Sequence, residues 1–141
     1  MRIEQTVDIE APPPRVWNVT IDLAQWPSWN PTVTEVSYRD LGEVRPGFRA
    51  RLKQPGSAPA EWAVTRVEAP RRFEWTTRPL GMRVDAIHDL QPTAMGTHVT
   101  LAIEVSGLTA PLLGWIVARV SRKFLPMEAA ALKRECEQPD A

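Results

Sequence analysis

Cysteine and histidine are scarce in this sequence, and their scarcity excludes several kinds of site. The chain of 141 residues has one cysteine, Cys136, and two histidines. A single cysteine cannot form an internal disulfide, which is typical of proteins from a reducing compartment. Two histidines and one cysteine, far apart in the sequence, do not supply the ligands of a dedicated zinc site. We therefore predict a cytoplasmic protein that uses no metal and no cofactor.

An excess of one charge and a long apolar run are also missing. The 17 basic and 17 acidic residues give a formal net charge of zero, whereas nucleic-acid-binding proteins usually carry a basic excess or patch. No run reaches the ~18 apolar residues of a membrane span, and residues 1–10 lack the apolar stretch of a signal peptide. We expect neither nucleic-acid binding nor stable membrane insertion. The nearest candidate for a basic patch, which with glutamates nearby is typical of a solvated helix face, is Arg119, Arg122, Lys123, Lys133 and Arg134.

Motifs for nucleotide binding and for nucleophilic catalysis do not occur either. The sequence has no glycine-rich phosphate loop and no serine in a nucleophile elbow. Its carboxylates, such as Asp22, Asp85 and Asp89, lack a paired spacing suited to acid/base work. Any catalysis would therefore consist of proton transfer and substrate positioning inside an apolar cavity, without a cofactor.

Alternation and prolines organise the first thirty residues. Residues 3–10 alternate between a mostly apolar set and a polar set, which is the period of a half-buried strand. The prolines at 12–14 favour a turn or a helix start, and residues 15–23 then place apolar side chains on one helix face. Pro27 and Pro31 prevent a long helix, so we predict a turn or short helical corner over residues 24–31.

Six strand-like runs follow, and short spacers make antiparallel neighbours the expectation. The runs are residues 33–39, 48–53, 61–68, 73–77, 82–90 and 97–106. The third run is expected to contain a bulge before Val67. In the second run, Arg49 and Arg51 lie opposite the apolar positions and are predicted to face solvent. A shift of one residue would instead put these cations inside and favour an acidic or enolate-forming substrate.

The end of the chain predicts one long helix over residues 111–136, about 39 Å in length. We expect its apolar stripe to cover the concave face of the sheet. Pro126 should bend the helix, and Pro139 with Asp140 should form a frayed tail. The stripe consists of Leu113, Ile116, Val117, Val120, Phe124 and Met127, with Ala131 continuing it.

This order of elements predicts an α+β fold in a single domain over residues 1–141. A curved seven-stranded antiparallel sheet wraps around the long C-terminal helix, and two short helices connect strands 1 and 2. One helix does not fill a strongly curved sheet of this size. The remaining volume is expected to be a mostly apolar ligand cavity.

Several short motifs are spread along the chain: Ile-Glu-Ala-Pro at 9–12, Val-Trp at 16–17, Trp-Pro-Ser-Trp-Asn-Pro at 26–31, Pro-Gly at 46–47, Val-Glu-x-Pro-Arg-Arg-Phe-x-Trp at 67–75 and Gly-Thr-x-Val-Thr at 96–100. In these motifs the chain resembles the START-like, birch-pollen-allergen-like helix-grip superfamily, in its bacterial polyketide cyclase/dehydrase-like branch. The resemblance covers nearly the whole chain and implies the helix-grip fold just described. Members of the superfamily bind lipids, hormones and polyketides, or act as cyclases and dehydratases, so fold alone does not decide the activity.

His88 is the candidate for chemistry, because it is a titratable group on an otherwise apolar strand face. It can act as a general acid or base near neutral pH, contact a ligand, or simply be satisfied by a backbone carbonyl or a carboxylate such as Glu104. Among the six tryptophans, Trp26 and Trp29 belong either to packing or to the cavity rim. The residues predicted to contact a ligand are Trp26, Trp29, Phe48, Trp62, Val64, Trp75, Val84, His88, Leu101, Ile103, Ile116 and Val120.

Three functions remain compatible with the sequence. The first is binding of a small hydrophobic or amphipathic molecule, lipid-like or polyketide-like, in the cavity. The second is a cofactor-free polyketide cyclase or dehydratase that uses His88 as acid/base, which the resemblance implies. The third is a structural or interaction module whose interior is filled. Binding of one hydrophobic probe per chain would separate the first two from the third.

Overall fold

The computed structural model describes residues 1–139, and Asp140 of the predicted tail lies outside that range. Within it, seven strands form one sheet in the order β1-β7-β6-β5-β4-β3-β2, with antiparallel neighbours throughout. The predicted fold class is confirmed. The strands are β1 (Arg2–Ile9), β2 (Glu35–Tyr38), β3 (Arg49–Lys53), β4 (Ala60–Glu68), β5 (Arg72–Thr77), β6 (Met82–Thr93) and β7 (Gly96–Gly107). The helices are α1 (Pro13–Ile21), α2 (Trp26–Trp29), which follows a 3₁₀ turn at Leu23–Gln25, and α3 (Ala110–Glu137).

Buried and exposed side chains alternate along β3 as the sequence predicts. Phe48, Ala50 and Leu52 are buried, whereas Arg49 and Arg51 are exposed. Arg49 forms a two-pronged ion pair with Asp40, at 2.9 and 3.1 Å. The cations therefore lie on the solvent side of the sheet, and the alternative with charge inside is excluded.

The predicted irregularity in the third strand run is present in β4. The register between β4 and β5 shifts between Val64 and Arg66. A bulge adds one residue to one strand, so Val67 returns to the inner side and packs against the core. Trp62 and Val64, before the bulge, are buried on the same side.

The face that α3 turns toward the sheet differs from the prediction. Ile116 and Val120 of the predicted stripe are 44% and 38% exposed. Small residues make the close contact instead. A side-chain carbon added at Gly114 would lie 3.3 Å from Met1 Cε and 3.7 Å from Val105 Cγ1. The buried positions of α3 are Gly114, Ala118, Ser121, Leu125, Ala129, Ala131, Leu132 and Cys136.

Four residues of the predicted stripe, Ile116, Val117, Val120 and Phe124, line the cavity. The prediction was wrong about the closest contact with the sheet, because it ranked helix faces by side-chain size. A helix that packs directly on a sheet needs small side chains at the closest approach, since interiors are close-packed. The large apolar residues of α3 are therefore rotated to the flanks. One flank borders a cavity, and the other faces outward.

Candidate ligand-binding cavity

A cavity of about 320 Å³ lies between the inner face of the sheet and the flank of α3. This volume is at the small end of the range for small-molecule sites, roughly 300–1,000 Å³. Its wall is mostly apolar, with a few polar side chains. It is formed by Trp26, Thr32, Val33, Leu52, Gln54, Ser57, Ala58, Ala60, Trp62, Trp75, Thr77, Pro79, Val84, Ala86, His88, Ile103, Ile116, Val117, Val120, Ser121, Phe124, Leu125 and Glu128.

Most of the residues predicted from the sequence to contact a ligand lie in this wall. They come from β4, β5, β6, β7, α2 and α3, so the fold brings together positions far apart in the chain. The predicted residues that line the cavity are Trp26, Trp62, Trp75, Val84, His88, Ile103, Ile116 and Val120.

Four predicted residues lie outside the wall of the cavity. Phe48, Val64 and Leu101 are almost completely buried, because other core side chains fill the space beside them. Trp29 packs edge-on against Trp26 with ring centroids 6.0 Å apart. Parity identifies the inner face of a strand, but it does not say which part of that face remains open.

A group of aromatic rings forms the floor of the cavity around Trp75. The Trp75 ring centroid lies 5.1 Å from that of Trp62 and 5.4 Å from that of Trp26, and both of these residues line the cavity. Phe73, which is fully buried and does not line the cavity, packs against Trp75 with ring centroids 5.4 Å apart. Trp26 is held in place because its indole Nε1 donates a hydrogen bond to the Thr20 carbonyl at 3.1 Å. Such tilted and edge-on ring pairs are favourable. The floor is therefore a rigid apolar surface against which a flat or apolar molecule can lie.

His88 is buried in β6, opposite Phe73 on β5. Its Nδ1 lies 3.3 Å from the Phe73 carbonyl oxygen. A carbonyl only accepts hydrogen bonds, so Nδ1 carries the proton. Burial lowers the pKa of His88 to about 4, while the hydrogen bond to Phe73 acts in the opposite direction. The imidazole is therefore neutral at neutral pH, and Nε2 holds a free lone pair.

That lone pair opens into the cavity. Nε2 of His88 has no hydrogen-bond partner within residues 1–139. In the same part of the chain, no side-chain nitrogen or oxygen is both shielded from solvent and unpaired. Because His88 lines the cavity, Nε2 is available there as a hydrogen-bond acceptor.

Six polar residues of the wall were not predicted from the sequence, and Glu128 is the ionisable one among them; the others are Thr32, Gln54, Ser57, Thr77 and Ser121. Asn30 Nδ2 donates a hydrogen bond to Glu128 Oε1 at 3.0 Å. Asn30 is itself fixed, because its Oδ1 accepts from the Thr32 backbone N–H at 3.0 Å and from the Thr32 hydroxyl at 2.8 Å. A backbone N–H can only donate, so this contact settles which end of the amide faces Glu128.

Burial raises the pKa of Glu128 to about 7, and the hydrogen bond from Asn30 lowers it by a smaller amount. The carboxyl group therefore changes charge near neutral pH. Its second oxygen, Oε2, has no partner within residues 1–139. As with His88, this oxygen is open to the cavity.

Weak signals for this pair were present in the sequence. Glu128 follows Ser121 by seven residues and Phe124 by four, which places it on the cavity flank of α3. Asn30 lies in the proline-bounded corner between Trp29 and Pro31. Neither position indicates a site by itself. Only the long-range packing of α3 against that corner brings the two side chains together.

Other kinds of site receive little support from the described residues. In residues 1–139, no group of three or more His, Cys, Asp or Glu side chains could hold a metal ion. Cys136 is buried, and burial raises the pKa of its thiol to about 12, so it is not a thiolate near neutral pH. Across the same residues, every helix falls short of the length and apolar character that crossing a bilayer requires.

Comparison with known proteins gives one family match. A family model described as "Polyketide cyclase / dehydrase and lipid transport" matches residues 1–137. No functionally curated protein matches the chain.

Solved structures share the fold at low sequence identity. A START superfamily protein from Mycobacterium smegmatis is 19% identical, with a TM-score of 0.79 over 97% of each chain. An aromatase/cyclase from Streptomyces sp. R1128 is 18% identical, with a TM-score of 0.79 over 97% of this chain and 93% of that one. Protein MLL2253 from Mesorhizobium loti is 14% identical, with a TM-score of 0.78 over 100% of both chains. At these identities the likeness concerns the fold alone.

Proposed function

We propose, from the premise that the chain belongs to the polyketide cyclase/dehydrase and lipid transport family, that it binds one small, largely apolar molecule carrying a hydrogen-bond donor. The ligand would occupy the cavity between the sheet and α3. The observation that carries the proposal is a mostly apolar cavity of about 320 Å³ whose wall includes the acceptors His88 Nε2 and Glu128 Oε2.

The apolar part of the ligand would rest on the aromatic floor. Trp75 and Trp62 supply aromatic surface, while Val84 and Ile103 supply aliphatic surface. Each CH₂ group removed from water contributes about 0.8 kcal/mol. A molecule of one or two fused rings therefore gains enough from burial to bind without any charge–charge contact.

Where the ligand meets His88 or Glu128, its polar group would be a donor rather than an acceptor, and the remaining polar wall is formed by hydroxyl and amide side chains such as Ser57, Ser121 and Gln54. His88 Nε2 offers a lone pair and no proton. Glu128 Oε2 offers lone pairs, and the carboxyl group carries a negative charge once it ionises. A hydroxyl group can donate to either, whereas a carboxylate would meet charge repulsion in a poorly solvated space. We expect neutral phenols or alcohols, and neutral lipids rather than fatty acids.

A pair of ring compounds tests both parts of this proposal. We expect 1-naphthol to bind with about one site per chain at about pH 8, where Glu128 is largely ionised. Binding of 1-naphthoate, of similar shape but anionic, should be at least roughly tenfold weaker. Glu128→Gln should reduce the difference in affinity between the two compounds, because it removes the negative charge that repels the carboxylate. Isothermal titration calorimetry measures affinity and stoichiometry together.

A cavity-filling variant controls for binding elsewhere on the surface. Ala86 lies in the cavity wall, and Ala86→Phe should abolish naphthol binding while circular dichroism shows a retained fold. Ala63 is only partly buried and lies on the opposite face of β4 from Trp62 and Val64. Ala63→Phe, the matched control, should bind like the natural protein. Equal binding by both variants would show that naphthol does not use the cavity, and the proposal would then fail.

A second candidate function is a cofactor-free polyketide cyclase or dehydratase. It is favoured by the family description and by a titratable carboxyl group in the cavity wall. In that case His88 or Glu128 would transfer protons during the reaction. His88, named from the sequence as the acid/base, is neutral and weakly basic here, so Glu128 is the better matched group near neutral pH.

Turnover assays of two variants distinguish an enzyme from a protein that only binds its ligand. With a cyclisable polyketide mimic, His88→Ala or Glu128→Gln should lower turnover about 100-fold if the residue is the acid/base. A pure binding protein would show no turnover above the uncatalysed rate in any variant. A pH–rate profile with an inflection near the pKa of Glu128, lost in Glu128→Gln, would assign the role to that carboxyl group.

A further inference from the structure

The outward side of the first half of α3 exposes large apolar side chains. We call this surface the outer α3 face and define it by Leu112, Trp115, Ile116, Arg119, Val120, Arg122 and Lys123. Leu112 is 73% exposed and Trp115 is 59% exposed. Helical spacing places these side chains next to one another. A cluster of this kind, unlike a single exposed leucine, marks an interaction surface.

Neighbouring loops extend the apolar surface at the start of the helix. Leu108 is 96% exposed, and Leu80 in the β5–β6 turn is 76% exposed. The two turns are joined, because the Thr109 hydroxyl donates a hydrogen bond to the Leu80 carbonyl at 2.6 Å. Leu80, Leu108 and Leu112 therefore lie at the same end of the molecule.

The charged residues in the stretch that includes the outer α3 face are all positive. From Ser106 to Met127 the sequence has Arg119, Arg122 and Lys123 and no acidic residue. The expectation of nearby glutamates holds for Lys133, which lies 2.6 Å from Glu137. Within residues 1–139, by contrast, no carboxylate oxygen lies within 4.0 Å of the three cations of the outer α3 face.

The outer α3 face also adjoins the cavity. Ile116 and Val120 belong to both, because they are partly exposed and also line the cavity wall. A molecule that arrives at the outer α3 face would therefore enter the cavity beside Ile116 and Val120, without passing through the sheet.

We propose that the outer α3 face docks reversibly on anionic lipid bilayers. Leucine and tryptophan side chains would enter the boundary between headgroups and acyl chains, and the three cations would contact the negatively charged headgroups. This is peripheral binding by one helix face and needs no membrane-spanning helix. It goes beyond the proposed ligand binding, and the two can be tested apart because the ligand test uses no lipid.

Vesicle co-sedimentation tests the proposal with the full chain. The natural protein should sediment with vesicles of phosphatidylcholine mixed with phosphatidylglycerol, and much less with phosphatidylcholine alone. Added salt should weaken the binding. Fluorescence of Trp115 should be quenched by brominated lipid, with Trp115→Phe as the blank for the other tryptophans.

Matched variants locate the surface. Leu112→Ser with Trp115→Ser should weaken binding at least roughly tenfold, and Arg119→Gln with Arg122→Gln should weaken it about fivefold for each cation removed. The apolar control is Leu41→Ser with Met95→Ser, two exposed residues in the β2–β3 and β6–β7 loops. The charge control is Arg51→Gln, an exposed cation of β3.

Binding that is lost in the outer-face variants and kept in the controls supports the proposal. Sedimentation with neither kind of vesicle overturns it, as does equal binding by outer-face and control variants. Light scattering tests the alternative that a second copy of this chain, rather than a membrane, covers the outer α3 face. A dimer that the outer-face variants convert to a monomer, without vesicle binding, would assign the surface to a second copy of this chain. All substituted residues are exposed, so thermal unfolding should confirm that the variants fold.

Discussion

Replacing Glu128 by glutamine should remove a specific pH dependence of stability. The change keeps a side-chain oxygen that can accept the hydrogen bond from Asn30 Nδ2. It also keeps the size of the side chain. What it removes is the negative charge, so the difference between the two proteins isolates ionisation of this carboxyl group.

The sign follows from the direction of the pKa shift. Burial raises the pKa of Glu128 from 4.5 to about 7 in the folded protein. The folded state therefore holds this proton more tightly than the unfolded chain. The resulting stability is fully present below pH 4.5 and is lost as the pH rises through about 7.

The size of this stability difference depends on how far the Glu128 carboxylate is shielded from solvent. One pKa unit corresponds to about 1.4 kcal/mol, so the full shift is worth about 3 kcal/mol. Glu128 is only partly buried, and contact with solvent reduces this value. We expect Glu128→Gln to be about 1–3 kcal/mol more stable than the natural protein at about pH 8, and nearly equal to it at about pH 4.

Urea unfolding followed by tryptophan fluorescence measures the difference. Both proteins are unfolded at a series of pH values, and the gap in unfolding free energy is plotted against pH. Glu43→Gln is the matched control, because Glu43 is exposed in the β2–β3 loop outside the cavity. A gap in unfolding free energy that stays constant between about pH 4 and 8 would refute a raised pKa for the Glu128 carboxyl group.

Three further predictions concern the core and the cavity wall. Asn30→Ala should lower the unfolding free energy by about 1–3 kcal/mol, because partners on Thr32 and α3 lose their hydrogen bonds; urea titration measures this, and an unchanged midpoint would contradict it. Leu101→Ala should destabilise the fold by about 2–5 kcal/mol yet leave calorimetric naphthol affinity intact, whereas Ile103→Ala should change that affinity; the reverse pattern would misplace the cavity. His88 has a folded pKa of about 4, below its ordinary 6.5, so stability should fall as the pH drops from 6.5 to 4, and His88→Leu should flatten that fall in acid unfolding curves.

Strand faces could be predicted from sequence because a strand has a period of two. Alternating residues such as those of β3, β6 and β7 point to opposite sides of the sheet wherever one side is buried. The bulge before Val67 could also be recognised, because the apolar positions lose their alternation there. These features depend on local spacing, which a single sequence carries.

The orientation of α3 and the pair of Asn30 with Glu128 depend on long-range packing instead. Gly114 and Ala118 lie closest to the sheet because they are small, and that choice rotates Ile116 and Val120 to the cavity side. A hydropathy stripe scores large residues and misses this effect. Asn30 and Glu128 are 98 positions apart, so no local pattern relates them.

A crystal structure of the protein soaked with a bromonaphthol would test the proposed binding most directly. The bromine gives an anomalous signal, and the hydroxyl group is a hydrogen-bond donor. We predict one bromine peak over the aromatic floor beside Trp75, with the hydroxyl within hydrogen-bond distance of Glu128 or His88 Nε2. An empty cavity, with bromine bound only on the outside of the protein, would contradict the proposal that this cavity binds a small molecule.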